Sequence, residues 1–238
     1  AATLVAGLLL ARIFGLEQAY GTLAGAGTAV CGASATLATS IVLPDYKGKD
    51  ADVAFVVIAV NALSTLAMVV YPLVCVSLGF DPQTTGVMLG ATIHDVAQVV
   101  GAGYAVSETA GNTAVIVKLF RVLLMLPLVL FIGWLFARQT VASSAARIPV
   151  PVFALAFVAL CVLNSIAGAM PAVAPTFAQI KAPLVEASTW GLLIAIAALG
   201  LGTSLKAIVA LGWRHVATVT GTTFVILLVV TAALAMLG

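Results

Sequence analysis

The chain has 238 residues, of which 63% are hydrophobic and only 8% charged, and its formal net charge is +2. So few charges cannot cover a water-facing surface, so most of the exterior must face lipid. No cluster of Lys or Arg could neutralise a phosphate backbone, which excludes nucleic-acid binding, and Cys31, Cys75 and Cys161, odd in number and without a CxxC pair, exclude a disulfide framework or a zinc site.

Apolar runs such as Val122 to Ala137 are continuous instead of alternating, which predicts helices and not a lipid-facing barrel. The fold class expected is an all-α polytopic membrane protein, with residues 1–238 as a single transmembrane domain. Read in runs of roughly 20 apolar residues, the chain divides into about eight spans. The first runs from Ala1 to about Leu16; it has no initiator Met or charged leader and reads as a chain entered within a helix. The second covers Gly21 to Leu43. After the polar loop Pro44 to Asp50, the third covers Ala51 to Leu78. The fourth runs from Gly86 to about Val106 and the fifth from Asn112 to Ala137. Beyond the linker Arg138 to Arg147, the sixth covers Pro149 to Met170. A Pro-punctuated loop, Pro171 to Pro183, leads to the seventh, about Glu186 to Leu205, and the eighth runs from about His215 to Gly238. Strict alternation puts Arg12, Arg138, Arg147, Lys206 and Arg214 on one side and Lys47, Lys49 and Lys181 on the other. The positive-inside rule makes the first side cytoplasmic.

Three spans carry Gly and small polar residues at their centres, where a helix can unwind only around a cavity. Their marker residues are Gly27, Cys31 and Gly32 in the second, Gly90 in the fourth, and Gly200 and Gly202 in the seventh. Close helix packing through small residues is the competing explanation. A faint echo between Gly25–Ala35 and Gly90–Val100 adds support for an inverted repeat.

Ionisable groups inside a bilayer cost about 2.5–3.5 kcal/mol even on the gentlest scale, so each needs a partner or a purpose. His94, Asp95, Lys118 and Arg121 are the four such groups. The fourth and fifth spans form a hairpin whose tip lies near Glu108. Asp95 and Arg121 stand at equal counts from it and are expected to meet near mid-membrane, each roughly 20 Å below the tip. Lys118 and Arg121, spaced i, i+3, share a helix face, and Gln98 lies near the level of Lys118. Two fixed cations, one carboxylate and one titratable His suit an anion site with a proton carrier beside it. Lys118, Arg121, Ser34 and Gln98 are therefore the candidate anion ligands, and His94 and Asp95 the candidate proton carriers. The alternatives are an Asp95–Arg121 ion pair that merely fixes the hairpin and a Lys118 that snorkels to the interface. Asp45, Asp50, Asp52, Lys47, Lys49, Lys181 and Glu186 read as solvated charges, and His215 has no evident partner.

Taken together, the strings Gly27-Thr-Ala-Val-Cys-Gly-Ala-Ser-Ala35, Gly90-Ala-Thr-Ile-His-Asp-Val-Ala-Gln-Val-Val100, Val117-Lys-Leu-Phe-Arg-Val122 and Ala198-Leu-Gly-Leu-Gly-Thr203 resemble the YeiH-type sulfate exporter family of bacterial inner-membrane proteins. The match is ordered and runs over essentially the whole chain. The resemblance implies a multi-pass inner-membrane location, kinship to bile-acid-symporter-like transporters, inverted repeats with crossing discontinuous helices, and about three further amino-terminal spans.

The function expected is secondary transport of a small anion such as sulfate or a sulfonate, coupled to protons, with no cofactor and no metal. The lipid bilayer and the anion are the expected partners, and a homo-oligomer is left open. An anion channel is the first alternative. An intramembrane enzyme is the weaker one, because HExxH, GxSxG and paired intramembrane aspartates are all missing, and so is the nucleotide loop GxxxxGK[ST] of an ATP-driven pump.

Overall fold

The computed structural model describes residues 2–137, 152–170, 177, 179–188, 190, 191, 194 and 212–237, and no strand occurs among them. Two compact units divide the chain. Residues 1–149 with 203–238 make the first, and residues 150–202 the second.

In the first unit, α1 (Ala2–Phe14), α2 (Gln18–Ala29) and α3 (Ala33–Val42) precede the long α4 (Lys49–Ser77). They are followed by α5 (Pro82–Thr92), α6 (Val96–Val106), α7 (Glu108–Leu123) and α8 (Met125–Ala137). In the second unit, α9 is Val152–Ala169, and a helical stretch over 179–188 is α10. The first unit closes with α11, Trp213–Leu237. Among the described residues, three segments are long and apolar enough to cross a bilayer: Lys49–Ser77, Glu108–Phe136 and Trp213–Met236. Their outward residues are large and apolar, including Leu66, Leu73, Ile116, Phe120, Phe224 and Leu228, so the surface is made for lipid.

Several predicted spans change form. The first ends at Phe14, two residues before the expected Leu16, where Gly15 turns with φ +66°. The second and fourth are each two half-helices separated by a short break, of 12 and 10 residues in one case and 11 and 11 in the other. The fifth begins at Glu108 and is interrupted at Leu124, since Pro127 cannot donate to the carbonyl of Leu123 and its ring crowds it. Residues 179–188 are helical where part of the loop Pro171 to Pro183 was expected. Most of the seventh span, with Gly200 and Gly202, lies outside the described residues.

Small residues set how closely the half-helices pack. A Cβ on Gly25 would lie 2.8 Å from the Leu4 Cα of α1, and one on Gly86 would lie 2.7 Å from the Ala110 carbonyl oxygen of α7. One on Gly90 would run into the Ala114 carbonyl of α7. The packing explanation of these glycines is thus correct for Gly25 and Gly90, and it operates alongside the helix breaks. Capping fixes where the pieces start. Asp81 accepts from the backbone N–H groups of Gln83 and Thr84 at 2.8 and 3.1 Å, with Pro82 at the first helical position of α5.

Candidate functional site

The two breaks lie against each other. α2 ends at Ala29 and α3 restarts at Ala33; between them Gly32 has φ +64° and ψ −114°, a conformation open in practice only to glycine. A Cβ there would sit 3.7 Å from His94 Cβ and 3.2 Å from Val60 Cγ1. The second break is Ile93-His94-Asp95. Asp95 is extended and caps α6, accepting from the amides of Ala97 and Gln98 at 2.8 and 3.2 Å.

α7 supplies the positive charge. Arg121 donates from Nε to Ala29 O, from Nη1 to the carbonyls of Gly90, Ala91 and Ile93, and from Nη2 to those of Thr28 and Ala29, at 2.7–3.4 Å. Lys118 Nζ donates to Val30 O at 2.6 Å, to Ile93 O at 2.9 Å and to His94 O. Both cations therefore close the carbonyl ends of α2 and α5 at once. The last turn of a helix carries about half a negative charge in unpaired carbonyls, and here Arg121 and Lys118 satisfy those of Thr28, Ala29 and Val30 at the end of α2 and of Gly90, Ala91 and Ile93 at the end of α5. Both side chains are buried, Lys118 completely, which removes the snorkelling alternative.

The expected Asp95–Arg121 ion pair does not form. Among the described residues the ion pairs are Lys49–Asp45 and His215–Asp52. Equal depth along a hairpin does not fix azimuth, and the Asp95 carboxylate is turned to the start of its own helix.

His94 is fully buried; its Nε2 lies 3.0 Å from Thr223 Oγ1 on α11. Gln98 Nε2 donates to Thr65 Oγ1 at 2.8 Å, and Ser64 Oγ accepts from the Asp95 amide at 3.0 Å. Cys31 is buried with its Sγ 3.6 Å from Met125 Sδ, and Gly27 faces the Thr36 hydroxyl of α3. Ser34 stands exposed in the first turn of α3, whose start has no side-chain cap. The crossing thus brings together the backbone around Gly27, Cys31, Gly32 and Gly90 with Lys118, Arg121, His94, Asp95 and Gln98.

Sequence reading missed Ser64, Thr65 and Thr223. Their signal was available, since hydroxyls in mid-helix inside a bilayer commonly serve a neighbouring helix. His215 was also underestimated. Its Nε2 is 3.5 Å from Asp52 Oδ1, Tyr46 donates to Asp52 Oδ2 at 3.0 Å, and the Tyr20 hydroxyl donates to the His215 carbonyl at 2.8 Å. Asp52 is accordingly a packed anchor between α4 and α11, not a solvated charge.

A cavity of about 350 Å³ opens between α4 and α11, lined by residues including Leu63, Ala67, Val70, Met88, Thr223 and Leu227. Its lining is apolar, so it is unsuited to a small anion. Among the described residues no group of three or more His, Cys, Asp or Glu could hold a metal ion.

Comparison with known proteins places the chain. Residues 1–219 match the family model "Conserved hypothetical protein 698". The chain is 42% identical over 216 residues to a UPF0324 membrane protein of Chlorobaculum tepidum, an alignment covering 90% of this chain and 58% of that protein. It is 40% identical over 239 residues to the UPF0324 membrane protein TauZ of Paracoccus pantotrophus, covering 99% of this chain and 69% of TauZ. It is 35% identical over 209 residues to the UPF0324 inner membrane protein YeiH of Escherichia coli K12, covering 86% of this chain and 57% of YeiH. The chain therefore spans between somewhat over half and about two thirds of the length of these relatives. No solved structure matches it significantly. On the family model and these relatives, the chain belongs to the UPF0324 family of membrane proteins.

Proposed function

We propose that the protein is a secondary transporter of a small anion, such as sulfate or a sulfonate, held as a multi-pass protein of the bacterial inner membrane and coupled to protons. The observation that supports this best is the crossing of two broken helices with two buried cations and one carboxylate. The partial charges of the two carbonyl ends and the two amide ends, about 0.5 each, cancel. Lys118 and Arg121 against Asp95 then leave a net charge of about +1, which suits an anion and repels a cation.

The donors of Lys118 and Arg121 are taken by carbonyls, so these two act on the anion through their field and not as direct ligands. Direct contacts come from the uncapped start of α3 with the exposed Ser34, and from Gln98. His94 next to two cations gains a proton more easily once an anion is present, so anion and proton occupancy favour each other. The comparable lengths of the α2–α3 and α5–α6 pairs support an inverted repeat, although the breaks sit two residues out of the register of the sequence echo.

An enzymatic reading has less support, since His94 turns Nε2 to Thr223 while Cys31 faces Met125. Full-length protein in proteoliposomes, given radiolabelled sulfate, small sulfonates and small carboxylates, tests the proposal. Saturable flux driven by a pH gradient supports a carrier, single-channel current steps indicate a channel, and no anion flux rejects both.

A further inference from the structure

Three backbone oxygens, from both helix breaks, converge on one buried point. Val30 O lies 2.6 Å from Lys118 Nζ and Ile93 O 2.9 Å from it, and His94 O is the third. Val30 caps the end of α2, and Ile93 caps the end of α5. Both helices thus direct their negative ends at this point. Three acceptors require three N–H groups. An ammonium has three and a neutral amine two, so the geometry fits the charged form.

Carbonyl oxygens that converge where helices unwind form a coordination shell for a monovalent cation. We infer that the crossing is a monovalent-cation site whose occupant is built into the chain, the Lys118 ammonium taking the place of a free sodium or ammonium ion. Arg121 does not share this role. Its planar guanidinium is spread along carbonyls of both helices, from Thr28 to Ile93, whereas Nζ sits at a single focus.

Two consequences follow. The native protein needs no sodium at the crossing, because the shell is full. Removing the ammonium leaves the carbonyls of Val30, Ile93 and His94 without their shared donor, and an added cation should take its place.

The test compares full-length wild type with Lys118→Ala, following the apparent thermal midpoint in detergent. Sodium, ammonium, methylammonium and ethylammonium chlorides are titrated, with choline chloride matching ionic strength. Lys118→Ala is expected to gain stability saturably with sodium or a small ammonium ion. At ~100 mM of a cation bound with a ~10 mM Kd, the folded-to-unfolded ratio rises about tenfold. Wild type should show no saturable response. A variant no more responsive than wild type overturns the assignment. Should Lys118→Ala fail to fold, saturable binding of radioactive sodium to wild type decides: its presence overturns the built-in occupant, and its absence up to ~100 mM, against a sodium-binding control protein, upholds it.

Discussion

Lys118 Nζ donates to the carbonyl oxygen of Val30, 88 residues earlier in the chain, across 2.6 Å. That bond ties α7 to the break between α2 and α3, while the bonds from the same nitrogen to Ile93 and His94 tie it to the break between α5 and α6. One side chain therefore holds two interruptions in register.

Arg121→Lys should not preserve the site. A guanidinium satisfies carbonyls of five residues here, whereas an ammonium at that position offers three donors from one point. With each buried carbonyl left unpaired costing about 1–3 kcal/mol, a loss of roughly 2–4 kcal/mol is expected. Thermal or denaturant unfolding in detergent measures it, and a variant as stable as wild type would show that water can replace these bonds.

Gly90→Ala should destabilise by about 1–3 kcal/mol, because the new methyl meets the backbone of α7 at Ala114 and no flexible side chain can yield. Gly32→Ala should cost a similar ~1–3 kcal/mol through its φ alone. Gly168→Ala is the control. It meets nothing within 4 Å and should be neutral or gain up to about 1 kcal/mol in helix propensity. Equal effects at Gly90 and Gly168 would remove close packing as the reason for Gly90.

The breaks are legible in the sequence because polar and ionisable residues beside Gly at the centre of an apolar run go beyond what close packing alone requires, and Cys31, Gly32, His94 and Asp95 all fall at them. Lys118 and Arg121 were found for the same reason. Their partners were not legible. Any residue supplies a carbonyl, so nothing in the side chains of Ala29, Val30 or Ile93 marks them as acceptors. Asp95 was paired with Arg121 by depth alone, and its role as a cap was overlooked although Asp before Val-Ala-Gln is a favourable helix start. The end of the first span is legible to within two residues, because a turn at Gly15 closes α1 at Phe14 where Leu16 is expected.

His94→Gln should keep the fold while flattening the pH dependence of anion flux, because it removes the imidazole that the proposal makes the proton carrier. Thr223→Val should weaken the same proton step by removing the hydroxyl 3.0 Å from Nε2, and should cost about 1–3 kcal/mol. Flux against external pH in both variants checks this. A His94→Gln profile identical to wild type would assign the proton to another group.

The central claim is that the crossing of the two broken helices binds an anion through a small surplus of positive charge, and equilibrium binding of radiolabelled sulfate or a small sulfonate to wild type and Asp95→Asn tests it most directly. Asn caps a helix as well as Asp does, so the fold should persist while one negative charge disappears. Removing a unit charge from about 12 Å away, at an effective dielectric constant near 20, is worth about 1.4 kcal/mol, or roughly tenfold in Kd. The account predicts saturable binding in wild type and binding about ten times tighter in Asp95→Asn. Unchanged or weaker affinity in a folded Asp95→Asn protein would contradict it.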